Sequence, residues 1–292
     1  MPLLTVPNFS EGRDPDVIAA LRTAIDRQRA VLDRHSDPEH NRTVFTLAGE
    51  PRALEAALEA GAEVALERID MRHHHGLHPC IGAIDVCPLV WLSREGRADA
   101  ERIALAVGER IAALGIPVFL YGELASSEER RERAFFRDGG LKALGRRMLS
   151  GQLSADRGPD VPHPTAGACL VTARPPLAAF NVELDSSNAV VAQRVAAELR
   201  QAGGGLPGVR AIGLPLESGR TQVSTNVHDP ITVPLREVVE EVRRLAARHG
   251  AAPVAAEVVG LVPHAALEGF PEDLPLLSFD PSRHVIERRV VA

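Results

Sequence analysis

The sequence predicts an α/β protein of the α+β type, built from two tandem βαββαβ units. Three observations predict it. Short apolar runs of strand length alternate with segments whose apolar residues recur at helical spacing. The order strand, helix, strand, strand, helix, strand occurs twice along 292 residues, a length that accommodates two modest units. A composition of 45% hydrophobic and 25% charged residues is that of a globular chain, and no apolar run reaches the roughly 18 residues of a membrane span.

Each element has a local reason. Leu3–Val6 is an apolar run that suits a buried strand. Asp14-Pro15 starts a helix, with Asp as N-cap and Pro at the first helical position. Val17, Ile18, Leu21 and Ile25 follow at helical spacing. Val31-Leu32 and Thr43–Leu47 read as strands joined by a polar loop from His35 to Asn41. Pro51 opens a second helix, with Leu54, Leu58, Ala62 and Ala65 near one face and Gly61 weakening its interior. Ala83–Leu92 is a strand that Pro88 restricts to a sheet edge or a break. Ile103–Leu114 is a helix and Val118–Tyr121 a strand.

The second half repeats the order. Ala178–Leu184 is a strand, and Ser187 or Asn188 caps a helix through Leu199 that Gly203-Gly204-Gly205 ends. Val209–Leu216 and Gln222–Asn226 are strands, Val233–His249 a helix and Ala255–Val259 the last strand. This is the order of a split-βαβ, ferredoxin-like unit. The polar stretch Ser154–Pro164 and Pro175-Pro176 offer the boundary, so residues 1–176 and 177–292 are the expected subdomains.

Charge and cysteine usage exclude some classes of function. With 33 basic against 39 acidic residues, the net charge of −6 argues against a nucleic-acid binder. A local arginine cluster can still receive small anions. Three cysteines, Cys80, Cys87 and Cys169, without a C-x-x-C pair argue against a disulfide framework and for a reducing compartment. The N-terminus has neither a basic start nor a long apolar stretch, so a cytoplasmic location is expected.

The densest chemical feature is Arg72-His73-His74-His75-Gly76-Leu77-His78-Pro79. A zinc site would need His74 and His78 on one helical face, which Gly76 and Pro79 oppose. A solvated loop and acid–base catalysis are the other two readings, since imidazole titrates near neutral pH. Val6–Gly12 precedes the first helix and suits an anion at its N-terminus, or simply turns and caps it. Arg42 can clamp a carboxylate bidentately or form a surface ion pair. Gln222, Ser224 and Asn226 share one face of a strand, facing a ligand or plain solvent.

Taken in order, these segments carry a resemblance. They are Val-Pro-Asn-Phe-Ser-Glu-Gly at 6–12, Asn-Arg-Thr-Val at 41–44, Ile-Asp-Met at 69–71 and Gly-x-His-Pro at 76–79. Gly-Ala-x-Asp-Val-Cys-Pro at 82–88, Tyr-Gly-Glu at 121–123 and Phe-Asn-Val at 180–182 follow. Gln-Val-Ser-Thr-Asn at 222–226 and Val-Gly-Leu-Val-Pro at 259–263 complete the set. The chain thereby resembles the formiminotransferase domain family, the folate enzymes of histidine breakdown, from about Leu3 to at least Pro263.

The resemblance implies two ferredoxin-like subdomains forming a cleft, and a homodimer. It implies transfer of a formimino group from N-formimino-L-glutamate to N5 of tetrahydrofolate, the co-substrate. His78, at the family's Gly-x-His-Pro position, is then the catalytic acid and base. Arg42 is expected on a substrate carboxylate, Asp85 beside His78 or the amidinium or else simply buried beneath the histidine loop, and Asn8 and Asn226 on polar substrate edges. No metal, nucleic acid or membrane partner is expected. The chain ends at residue 292, so the cyclodeaminase activity of some relatives is not expected. Leu77 stands where animal members have Glu, Cys80-Ile81 where they have Arg-Met, and Thr172 where a glycine is usual. These departures motivate an alternative, a diverged folate- or ligand-binding paralogue without turnover.

Overall fold

Pro7 cuts the first strand in two, giving β1 (Leu3–Thr5) and β2 (Asn8–Phe9). The computed structural model describes residues 3–27, 31–38, 40–76, 79–216 and 218–290. It divides into two units, Met1–Arg174 and Pro175–Ala292.

In the first unit, Asp14 accepts hydrogen bonds from the Asp16 and Val17 amides and so starts α1 (Pro15–Ile25). β3 (Val31–Asp37) and β4 (Arg42–Gly49) form an antiparallel hairpin. The polar residues His35, Ser36 and Asp37, expected in a loop, belong to β3, because cross-strand pairing runs to Asp37 opposite Arg42. α2 (Pro51–Arg68) and β5 (Ile84–Val90) complete a first βαββαβ order. α3 (Arg97–Ala113), β6 (Val118–Leu120), the short α4 (Arg133–Arg137), α5 (Gly140–Leu149) and β7 (Cys169–Arg174) extend it. Seven strands form one mixed sheet, in which β4 and β5 flank β1 and β2, β3 lies beyond β4, and β7 and β6 follow β5. β5, β7 and β6 are mutually parallel; the other pairings are antiparallel.

Pro88 lies in the middle of this sheet, not at an edge, because the neighbouring strand is broken opposite it. Val6 donates its amide to Pro88 O at 3.2 Å, but a proline has no N–H to return. The Asn8 side-chain amide instead donates to Val6 O at 2.8 Å. The missing ladder bond is thus replaced by a side chain.

One face of the sheet packs Phe9, Phe45, Leu47, Cys87 and Leu89 against α1, α2 and α3. The opposite face carries a second cluster of Val86, Phe119, Tyr121, Leu170 and, from α4 and α5, Phe136, Leu144 and Met148. Phe136 is fully buried against Phe119, with ring centroids 5.0 Å apart. The Arg130 guanidinium covers both rings and pairs with Asp156. Asp156 also receives the Leu120 amide at 2.8 Å, so the stretch Ser154–Pro164 is tied into the first unit and does not mark a boundary.

The second unit is simpler. β8 (Ala178–Leu184), α6 (Ala189–Leu199), β9 (Val209–Pro215), β10 (Thr221–Val227), α7 (Leu235–Ala247) and β11 (Pro253–Val259) follow in order. The strands form one antiparallel sheet in the order β11-β8-β10-β9. Asn188 caps α6 by accepting the Val190 amide at 3.0 Å. Val238, Val242 and Leu245 of α7 pack on Phe180, Val182 and Val223. Among the described residues, no helix is long and apolar enough to cross a membrane.

Because Phe136 is the deepest anchor of α4, Phe136→Ala should lower the unfolding free energy by about 3–5 kcal/mol. Chemical denaturation of the two proteins measures this. A change below about 1 kcal/mol would show that α4 is held by something else.

Candidate active site

Three loops of the first unit meet at one end of the sheet. The loop after β2 is pinned to the strand entering β5: Ser10 donates its amide to Ala83 O at 2.9 Å and its hydroxyl to Gly82 O at 2.7 Å. The β3–β4 turn contributes Asn41, which is buried and has a left-handed φ of 49°. Its Oδ1 accepts the Gly12 amide at 2.9 Å. Its Nδ2 lies 3.3 Å from His74 Nδ1 and donates to His75 O at 3.2 Å. One side chain therefore ties the helix-entry loop to the histidine loop.

The histidine loop is held at close quarters. A Cβ on Gly76 would lie 2.3 Å from His40 O, and one on Gly82 would lie 1.9 Å from Ala168 O. Only glycine permits these backbone approaches. His74 is half-buried, and burial holds its imidazole below the usual histidine range. The neutral ring can accept from Asn41 through Nδ1 and bond to the Ser10 backbone. His74 is thus a staple between loops. His78, the expected catalytic residue, and Leu77 lie outside the described residues.

Three other expected residues fall in one band of the sheet. Asn8 pairs with Val44 of β4 and Val86 of β5, so its side chain stands on the face that carries Val86. Asp85 precedes Val86 and is 1% exposed. Its Oδ1 accepts the Ile81 amide at 2.7 Å, and Oδ2 pairs with Arg137 of α4. Asp85 therefore fixes the segment that follows His78. Arg42 begins β4 and is half-buried. Burial depresses the basicity of its guanidinium, and the charges of Arg133 and Arg137 act in the same direction against Asp85 and Asp37. Cys80 sits beside this group, where burial and Asp85 push its thiol up to about 11. At neutral pH it stays protonated and is a poor nucleophile.

Asn226 lies in the second unit. It is exposed on β10, on the face opposite the core, between Ala179 of β8 and Arg210 of β9. Thr225, its inward neighbour, is buried and donates to Phe180 O at 2.5 Å.

This geometry is accompanied by a full-length likeness to known proteins. The family model described as "Formiminotransferase domain, N-terminal subdomain" matches residues 3–174, and "Formiminotransferase domain" matches 179–269. The chain belongs to the formiminotransferase domain family. Glutamate formimidoyltransferase of Streptococcus pyogenes serotype M1 is 38% identical over 291 residues, covering 98% of this chain and 97% of that protein. The protein of the same name from Thermoplasma acidophilum is 38% identical, covering 98% and 96%. Formimidoyltransferase-cyclodeaminase of Sus scrofa is 40% identical over 90% of this chain, and the chain spans half of that protein's length.

The formiminotransferase motifs bring together Asn8, Asn41, Arg42 and Asp85, but α4 adds residues that no motif marks. Arg133 lies over the Tyr121 ring at 6.0 Å, and Arg137 holds Asp85. The pattern Arg133-Ala134-Phe135-Phe136-Arg137, with two arginines one helical turn apart around a buried phenylalanine, is the signal available for them. Thr172, the departure from the family glycine, donates its hydroxyl to Tyr121 O at 2.6 Å. Among the described residues no group of three or more His, Cys, Asp and Glu side chains is placed to hold a metal.

The state of His74 makes stability depend on pH. The unfolded chain takes up a proton near pH 6.5 that the folded imidazole resists. Stability is therefore present above about pH 6.5 and declines as pH falls below it. The melting temperature should drop more steeply from about pH 7.5 to 5.5 in the wild type than in His74→Gln. Parallel curves would show that His74 protonation does not oppose folding.

Proposed function

We propose that this protein transfers the formimino group of N-formimino-L-glutamate to N5 of tetrahydrofolate. The carrying observation is the match, over nearly all of both chains, to two proteins named glutamate formimidoyltransferase. Retention of His78 between Gly76 and Pro79 supports it. In this reading tetrahydrofolate is a co-substrate, and histidine breakdown supplies the donor.

The chemistry is two proton movements around one carbon. Neutral N5 attacks the amidinium carbon of the donor, forming a C–N bond and a cationic N5 in a tetrahedral intermediate. N5 then loses its proton, and the glutamate nitrogen gains one. The bond between carbon and the glutamate nitrogen breaks, releasing glutamate and leaving 5-formiminotetrahydrofolate. One imidazole, that of His78, serves as base and then as acid. Asp85, anchored by Ile81 and Arg137, acts as a positioning residue for the loop that carries His78. Asn8 spends its amide on Val6, which leaves its Oδ1 to accept from a substrate N–H. Arg42 takes a substrate carboxylate, and Asn226 a polar substrate edge.

The same reading takes residues 1–176 and 177–292 as the two subdomains, each ferredoxin-like at its centre. The βαββαβ order of both units and the antiparallel β11-β8-β10-β9 sheet support that kinship. It also takes the protein to be a cytoplasmic homodimer, as its family resemblance implies. The paralogue without turnover is weakened at Thr172, whose hydroxyl serves a backbone carbonyl within the sheet.

The test is a transfer assay with formiminoglutamate and tetrahydrofolate, reading 5-formiminotetrahydrofolate. His78→Ala should reduce kcat by about 10²–10⁴-fold while folate binding persists. Near-normal turnover in that variant would sink the mechanism, and folate binding without transfer in the wild type would establish the paralogue.

Arg42→Lys keeps the charge and loses the planar fork. It should raise a substrate KM by about tenfold or more at unchanged melting temperature. An unchanged KM for both substrates would leave Arg42 a purely structural residue.

A further inference from the structure

The first unit holds a cationic centre built around a residue that the proposed mechanism does not use. Arg133, the first residue of α4, is half-buried with its guanidinium over Tyr121. Its guanidinium makes no hydrogen bond or ion pair with any described residue. A guanidinium set over a ring face keeps its N–H groups available for a planar acceptor.

Its surroundings are cationic. The charge of Arg133 acts on Arg42 from β4, on Arg174 at the end of β7, and on Tyr121. Arg137 acts on Arg42 and Tyr121 as well. Asp85, whose charge also acts on Arg42, already accepts from Ile81 and Arg137. Arg137 in turn has a buried Nε without an acceptor among the described residues. A guanidinium with no partner of its own, set among other cations, favours an anion that joins it.

The centre is also rigid. Phe136 locks α4 from below, and Thr172 holds the Tyr121 carbonyl. Arg133 is thus held in advance in a position where a carboxylate can meet it.

We propose that Arg133 and Arg137, on the arginine-rich side of the sheet with Arg42 and Arg174, form a receptor for a glutamyl carboxylate. The assignment rests on the transfer reaction above, in which both substrates carry that group. Arg133 is the specificity-determining anchor. A bidentate, charge-assisted pair there excludes substrates in which the carboxylate is replaced by an amide.

The experiment compares wild type, Arg133→Gln and Arg133→Lys. KM for formiminoglutamate is measured at saturating tetrahydrofolate. Calorimetric Kd values are measured for 5-formyltetrahydrofolate carrying one or three glutamates, and for glutarate as a plain dicarboxylate. Arg133→Gln should weaken glutarate binding roughly 10- to 100-fold, with Arg133→Lys intermediate and both melting normally. A matching rise in the formiminoglutamate KM, with folate Kd unchanged, assigns the receptor to the donor. A rise in folate Kd that depends on glutamate number, with donor KM unchanged, assigns it to the folate tail. Unchanged glutarate, donor and folate values in a folded Arg133→Gln protein would overturn the proposal while leaving the transfer reaction intact. A wild type that binds glutarate through Arg133 but transfers nothing would overturn the reaction and leave the receptor.

Discussion

The side chain of Asn41 is the constraint on which the arrangement of the first unit's loops depends. It sits in a left-handed turn, where asparagine is tolerated better than most residues. From there its amide reaches Gly12 on one side and His74 and His75 on the other. Among the described residues, neither the helix-entry loop nor the histidine loop has regular structure to fix it. Their backbone groups need partners when buried, and one amide supplies several. The close packing of Gly76 against His40 O follows from the same contact.

The sheet beneath these loops owes its form to two prolines. Pro7 breaks the first strand, and Pro88 faces that break from β5. A proline in a central strand would ordinarily leave an acceptor unserved. Asn8 serves it, and so acquires a structural task in addition to the one proposed for substrate. Asp85 combines tasks similarly, accepting a loop amide while neutralising Arg137 from α4. Polar residues that the family motif preserves are therefore used twice, for architecture and for the charge pattern around the site.

α4 completes that charge pattern beside the charges on the strands, Arg42, Asp85 and Arg174. Its five residues are too few to be stable alone. Phe136, stacked beneath Arg130 and against Phe119, supplies the packing that a longer amphipathic helix would provide for itself. Arg133 and Arg137 are carried to Tyr121 and Asp85 by that anchor.

Much of the fold was legible in the chain itself. β8 spans Ala178–Leu184, the run of strand residues, and α6 begins at the Asn188 cap because local hydrogen bonding and periodicity act over a few residues. Asn8, Arg42 and Asp85 could be named from motifs, and all three fall within the β4-β2-β5 band. The tertiary structure alone decided that β3 continues through His35–Asp37, since cross-strand pairing overrides their polarity. It alone placed Pro88 centrally, made Asn41 a junction and brought Arg137 to Asp85, 52 positions away in the chain, and Arg133 over Tyr121. Periodicity records which face of an element is apolar; it does not record which distant element covers that face, and the charges of the site depend on that covering.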